Sequence, residues 1–176
     1  MHNSFIEQAI DQYFNNCYQH TKQAIIDNKG EYTSDNPFSI LMGKMVECVY
    51  YVSWFTSKPN FDLDGKDGGV DLIKDGKHIS VKMRVLPYSK ETYLNAENYV
   101  FGKQFDEAYK IVKSLQLQTK CDYVVGVIRY QSPAYYTWQE AWEQNDVNYL
   151  KLITRDIFEN ECIWFSTKSG NVIFDC

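Results

Sequence analysis

Asp75-Gly76 stands between two runs that alternate apolar and polar residues, Val70-Asp71-Leu72-Ile73-Lys74 and Lys77-His78-Ile79-Ser80-Val81-Lys82. No other stretch of the chain restricts its fold as tightly. A two-residue type I′ turn needs positive φ at both central positions, and Asp-Gly supplies this at low steric cost. The turn predicts a register: Lys74 across from Lys77, Ile73 from His78, Leu72 from Ile79 and Asp71 from Ser80. Strand side chains alternate between faces, so Val70, Leu72, Ile79, Val81 and Met83 share one face, the expected core. Asp71, Ser80 and Lys82 share the other, with Ile73 and His78 toward the turn. Opposite pairs stand about 5 Å apart and diagonal pairs about 7–8 Å, so Asp71 and Lys82 can reach one phosphate group.

Elements around the hairpin follow from periodicity. Phe5, Ile6, Ala9, Ile10, Tyr13, Phe14 and Cys17 recur at helical spacing, and the pattern resumes at Ala24 and Ile25 before Gly30. This predicts an added packing or dimer helix within residues 1–30. Asn36-Pro37 reads as an N-cap followed by proline at N1, starting a helix that runs to about Phe55 and carries Glu47 among apolar residues. Phe61 to Asp67 is an acidic loop or short strand. Phe101, Phe105, Ala108, Val112 and Leu115 make an amphipathic stripe, and Tyr123 to Ile128 is a continuous apolar run, as in a buried central strand. Thr137-Trp138-Gln139-Glu140 fits a capping box opening another helix. A last helix is expected from Val147 to Phe158, with Leu150, Thr154 and Ile157 on one face. Ile163-Trp164-Phe165 and Val172-Ile173-Phe174 around Ser169-Gly170-Asn171 predict a closing hairpin. The fold class is α/β, of the α+β kind with a mixed sheet, in a single domain of residues 1–176.

Gly68-Gly69-Val70-Asp71, Val81-Lys82 and Glu47 together resemble the PD-(D/E)XK nuclease superfamily, the restriction-endonuclease-like fold. Its pattern is an acid near the end of one strand, a hairpin, then acid-x-Lys on the next strand, often with a glutamate on an upstream helix. The resemblance covers roughly residues 37–130 and implies an α-β-β-β-α-β core there, with 137–176 adding C-terminal helices and a hairpin. It implies a metal-dependent endonuclease acting on DNA phosphodiester bonds. Asp71 is then the principal Mg²⁺ ligand (Mn²⁺ substituting), the Val81 carbonyl a second, and Glu47 contributes directly or through a water. Lys82 positions the attacking water and offsets charge on the phosphate. Ser80 is the departure, a hydroxyl where the family usually places an acid; it costs the site one negative charge and weakens metal affinity. The literal Asp75-Gly76-Lys77 falls in the turn and is discarded. A homodimer is expected, since cutting two strands calls for two sites.

Composition narrows the alternatives. Five cysteines lie scattered without CxxC or metal-ligand spacing, which argues for a reducing, cytoplasmic compartment and against a zinc site or a disulfide framework. No window approaches a membrane span, and the opening residues lack a basic segment followed by an apolar run, so a soluble, unexported chain is expected. The net charge of −5 counts against a simple nucleic-acid binder, because phosphate contacts need Lys and Arg. Local field decides instead: Lys74, Lys77, Arg84 and Lys90 cluster around the hairpin as candidate contacts to duplex or branched DNA. Lys103, Lys110 and Lys113 read as a solvated helix face.

Two other readings stand beside the enzyme. One is a nuclease fold degraded at Ser80 that binds DNA or a protein partner without cutting. The other is an α/β interaction domain whose hairpin charges are simply solvated.

Overall fold

The computed structural model describes residues 3–27, 36–62, 70–86, 104–130, 132–168 and 173–175. Its elements are α1 (Asn3–Asp27), α2 (Pro37–Trp54), β1 (Leu72–Lys74), β2 (Lys77–Leu86), α3 (Gln104–Leu117), β3 (Tyr123–Tyr130), α4 (Ala134–Glu143), α5 (Val147–Asn160), β4 (Cys162–Ser166) and β5 (Ile173–Asp175). The mixed α/β class is as expected. The five strands form one sheet in the order β1-β2-β3-β4-β5. β2 and β3 run parallel across the α3 connection, and every other neighbouring pair is antiparallel.

The hairpin has the register its turn residues dictate: Lys74 opposite Lys77, Ile73 opposite His78, Leu72 opposite Ile79. Asp75 (φ 50°) and Gly76 (φ 76°) hold the two left-handed positions. One expected pair does not form. The Asp71 N–H donates to the Ile79 carbonyl at 3.0 Å, although Ile79 is already the partner of Leu72. The ladder therefore slips by one residue at Asp71, and Ser80 loses its place opposite it.

α2 starts where its cap predicts. The Asn36 side chain accepts the Phe38 N–H at 3.0 Å, Pro37 occupies the first turn, and Phe55 ends the helix in the left-handed region (φ 56°). α4 differs from expectation, beginning at Ala134 rather than at a Thr137 cap. Proline at 133 stops an incoming helix but suits a first turn, and Ser132 Oγ accepts the Ala134 N–H at 3.3 Å. Thr137 thus lies inside the helix. Tyr135 packs edge-on against Phe38 with 4.9 Å between centroids, while Tyr136 stays 65% exposed.

One core cluster joins α1, α2, α4 and α5 to a single sheet face. It holds Ile6, Phe14, Leu41, Met45, Trp138 and Ile157 with Leu72, Ile79, Val125, Val127 and Trp164. α1 thus packs as part of this core. Fully burying each of these large side chains contributes roughly 1.5–3 kcal/mol. Thr154 is tolerated among them because its hydroxyl accepts from Trp138 Nε1 at 2.9 Å and donates to the Leu150 carbonyl at 2.8 Å. By alternation Val124, Ile128, Ile163 and Phe165 face the other way, where they are buried in a smaller layer with Val112 and Leu115 of α3. Phe101, the Phe105 and Ala108 side chains and the turn between β4 and β5 lie outside the described residues.

Of the expected three-strand meander, two strands are described, since residues 63–69 lie outside the described set. The outer edge of β1 meets Ser57, whose N–H donates to the Ile73 carbonyl at 2.7 Å and whose Oγ accepts the Ile73 N–H at 2.8 Å. Among the described residues there is no disulfide, and no helix is long and apolar enough to cross a membrane.

Candidate active site

The slip at Asp71 turns its side chain onto β2. Its Oδ2 accepts the Val81 N–H at 2.7 Å, so a carboxylate stands where a regular ladder would place a main-chain carbonyl. N–H and C=O of one strand residue point to the same side. The Val81 carbonyl therefore faces the same edge of β2 as the Asp71 carboxylate. β1 covers that edge only as far as Ile79, and beyond it no described strand pairs with β2. Two of the residues expected to hold a cation, Asp71 and Val81, thus meet at an edge of β2 that no described strand covers. Oxygen donors of this kind suit Mg²⁺, which keeps several waters and needs few protein ligands.

Lys82 follows Val81 and projects from the opposite sheet face to Ile79 and Val81. It is half-buried and makes no hydrogen bond or ion pair with a described residue. Its backbone is pinned against Gly126 of β3, its register partner. An ideal Cβ added to Gly126 would lie 1.8 Å from the Lys82 carbonyl oxygen, so only glycine admits this approach.

Ser80 shares the Lys82 face but is 2% exposed, enclosed by the layer that α3 completes. A hydroxyl so placed fills a packed position and cannot meet substrate without local opening.

Glu47 is on α2, 7% exposed. Its Oε2 pairs with Lys44 Nζ at 3.0 Å, and the same ammonium donates to the Asn60 carbonyl at 2.7 Å. Helical i,i+3 spacing brings the two charges together, and Asn60 ties them to the segment that leads toward β1. No group of three His, Cys, Asp or Glu side chains converges among the described residues, so Asp71 and Glu47 do not form part of such a cluster.

The expected DNA-contacting cations divide. Lys74 donates its ammonium to the Trp54 carbonyl at the end of α2, a helix C-terminus that favours a cation. Lys77 sits exposed at the turn, and exposed Arg84 donates to the Met83 carbonyl at 2.9 Å. Lys90 lies outside the described residues. His78 is exposed. Its N–H donates to Asp122 Oδ2 at 2.7 Å, and its carbonyl accepts the Asp122 N–H at 2.8 Å.

Three residues that shape this region carry no motif. Asp122 clamps the start of β3 to β2. Tyr50 of α2 places its hydroxyl between β3 and β4, accepting the Gly126 N–H at 3.3 Å and donating to the Phe165 carbonyl at 2.6 Å. Arg129 ends the apolar run of β3 inside the core. A glycine within Val124-Val125-Gly126-Val127-Ile128 was the available signal for the second of these, because glycine in a strand interior marks close backbone approach.

Comparisons with protein-family models, with curated proteins and with solved structures found no match.

Proposed function

We propose that the chain is a metal-dependent endonuclease that hydrolyses DNA phosphodiester bonds. The observation that carries this reading is the Asp71 carboxylate seated on the Val81 N–H, at an edge of β2 that no described strand covers and one residue from Lys82. The path from α2 through β1, β2 and α3 to parallel β3 also supports it. Asp71 and the Val81 carbonyl would hold Mg²⁺, which supplies Lewis-acid charge when bound. Lys82 orients the attacking water and offsets negative charge building on the phosphate. Glu47 contributes from α2 once Lys44 is displaced from its carboxylate, or acts through a water. Exposed Lys77 and Arg84 meet the DNA backbone. A homodimer acts on both strands, in the cytoplasm.

A second reading has one observation in its favour. Ser80 is both uncharged and enclosed, which leaves the metal with fewer anions than the family pattern provides. On that reading the chain is a degraded nuclease fold that binds DNA or a protein partner.

The test incubates supercoiled plasmid and branched DNA with the protein in Mg²⁺, then Mn²⁺, beside Lys82→Ala. Cleavage that disappears in the variant supports the enzyme. Cleavage by both marks a contaminant, and retained DNA binding without cleavage supports the degraded module.

A further inference from the structure

Arg129 is 6% exposed, yet its guanidinium forms no hydrogen bond and no ion pair with any described residue. Its Nε is completely enclosed and has no partner. The charge lies over the ring of Phe38, 4.5 Å from Cζ to centroid, and 5.8 Å from that of Tyr135. Ring faces attract a cation, but they do not satisfy five N–H groups arrayed in its plane. Burial draws its pKa down from the ordinary arginine range, and a guanidinium so placed still carries its charge at neutral pH. A buried cation with unfilled donors is costly unless an anion reaches it.

The described acid whose charge reaches Arg129 does not fill that role. Glu161, at the end of α5, accepts a hydrogen bond from Ser132 Oγ at 2.7 Å and forms no ion pair with Arg129. Its half-buried carboxyl is pushed above its ordinary range by burial, while Ser132 and Arg129 pull it back. Cys162, opposite Arg129 in the β3–β4 ladder, is a buried thiol whose proton is held by desolvation. Among the described residues the guanidinium is therefore flanked by two rings, with the Glu161 carboxyl nearby turned to Ser132, and no described oxyanion contacts it.

We infer that Arg129 anchors a binding subsite for a small oxyanion, a carboxylate or phosphate group of a ligand, entering between the start of α4 and the end of α5. Half-buried Tyr135 and Glu161 form its rim, and Ser132 supplies a second donor when its hydroxyl turns from Glu161. The subsite stands apart from the proposed nuclease centre. Arg129 is in register with Val85, four residues along β2 from Val81, and projects from the face opposite to that of Lys82. Its existence therefore does not depend on DNA cleavage.

The experiment titrates the protein with inorganic phosphate, and separately with acetate, by calorimetry and thermal melting. Arg129→Met, Arg129→Lys and Glu161→Gln are measured alongside. Saturable binding by the parent is expected, with affinity lowered about tenfold or more in Arg129→Met, because charge-assisted donors are lost. Arg129→Lys keeps the charge but not the planar fork and binds between the two. It also carries the test if the Met variant does not fold. Glu161→Gln removes a competing negative charge and binds more tightly than the parent. Preference for phosphate identifies a phosphoryl ligand, and preference for acetate a carboxylate. Absence of saturable binding by the parent, or equal binding by the parent and both Arg129 variants, overturns the inference.

Discussion

Gly126 and Lys82 lie so close across the β2–β3 pair that a Cβ on the glycine would fall 1.8 Å from the lysine carbonyl oxygen. At φ +155° the backbone of Gly126 is also one that other residues rarely adopt. The approach fixes the main chain from which Lys82 projects.

Gly126→Ala must push β2 and β3 apart or distort both. Such overpacking together with backbone strain costs on the order of 3 kcal/mol. Urea denaturation would show it as a lower midpoint at unchanged slope. A variant within about 0.5 kcal/mol of the parent would mean that the strands do not meet as described.

Tyr50→Phe keeps the ring against Trp54 and Trp164 but deletes the hydroxyl held by Gly126 and Phe165, which are 76 and 115 residues away in sequence. The Gly126 N–H is then left without this acceptor in a buried sheet. A loss of about 1–3 kcal/mol is expected, together with faster amide exchange at Gly126. Unchanged exchange there would remove the assigned role.

Asp71 separates its structural duty from its proposed chemistry. Asp71→Asn retains an oxygen for the Val81 N–H, so its stability should stay within about 1 kcal/mol of the parent, whereas Asp71→Ala orphans that donor and loses about 1–2 kcal/mol more. If the carboxylate holds Mg²⁺, the rise in melting temperature with added Mg²⁺ disappears in both variants. A shift that survives in Asp71→Asn would place the metal elsewhere.

His20 makes stability depend on mild acid. Burial lowers its pKa below the ordinary 6.5, with Lys44 acting the same way and the hydrogen bond to the Phe61 carbonyl acting against both. The unfolded chain therefore binds a proton more readily than the folded one. Stability from this group is complete above pH 6.5 and falls as pH drops from there through the folded-state value. Denaturation midpoints compared between His20→Gln and the parent should diverge in slope below about pH 6.5. Parallel slopes would show that His20 is not held neutral by the fold.

Much of this architecture was legible in advance because it rests on contacts between near neighbours. Asp75-Gly76 determined the turn and three register pairs, and Asn36-Pro37 determined where α2 begins. Leu150, Thr154 and Ile157 marked the buried face of α5. Expectations gave way where a rival local signal or a distant partner intervened. Ser132-Pro133 overrode the apparent cap at Thr137. Asp71 left its place opposite Ser80 because its carboxylate found the Val81 N–H. Lys74, grouped with the cations around the turn, found the end of α2.

Turn chemistry, capping and hydrophobic period were thus set by the sequence alone, since each is decided within a few residues of backbone. Tertiary structure alone decided that Gly126 meets Lys82, that a tyrosine hydroxyl enters the sheet, that Ser80 is enclosed and that Arg129 is buried with no acceptor among the described residues. Those outcomes depend on which remote segments pack together, and burial gives each polar group a free-energy consequence that spacing along the chain does not encode.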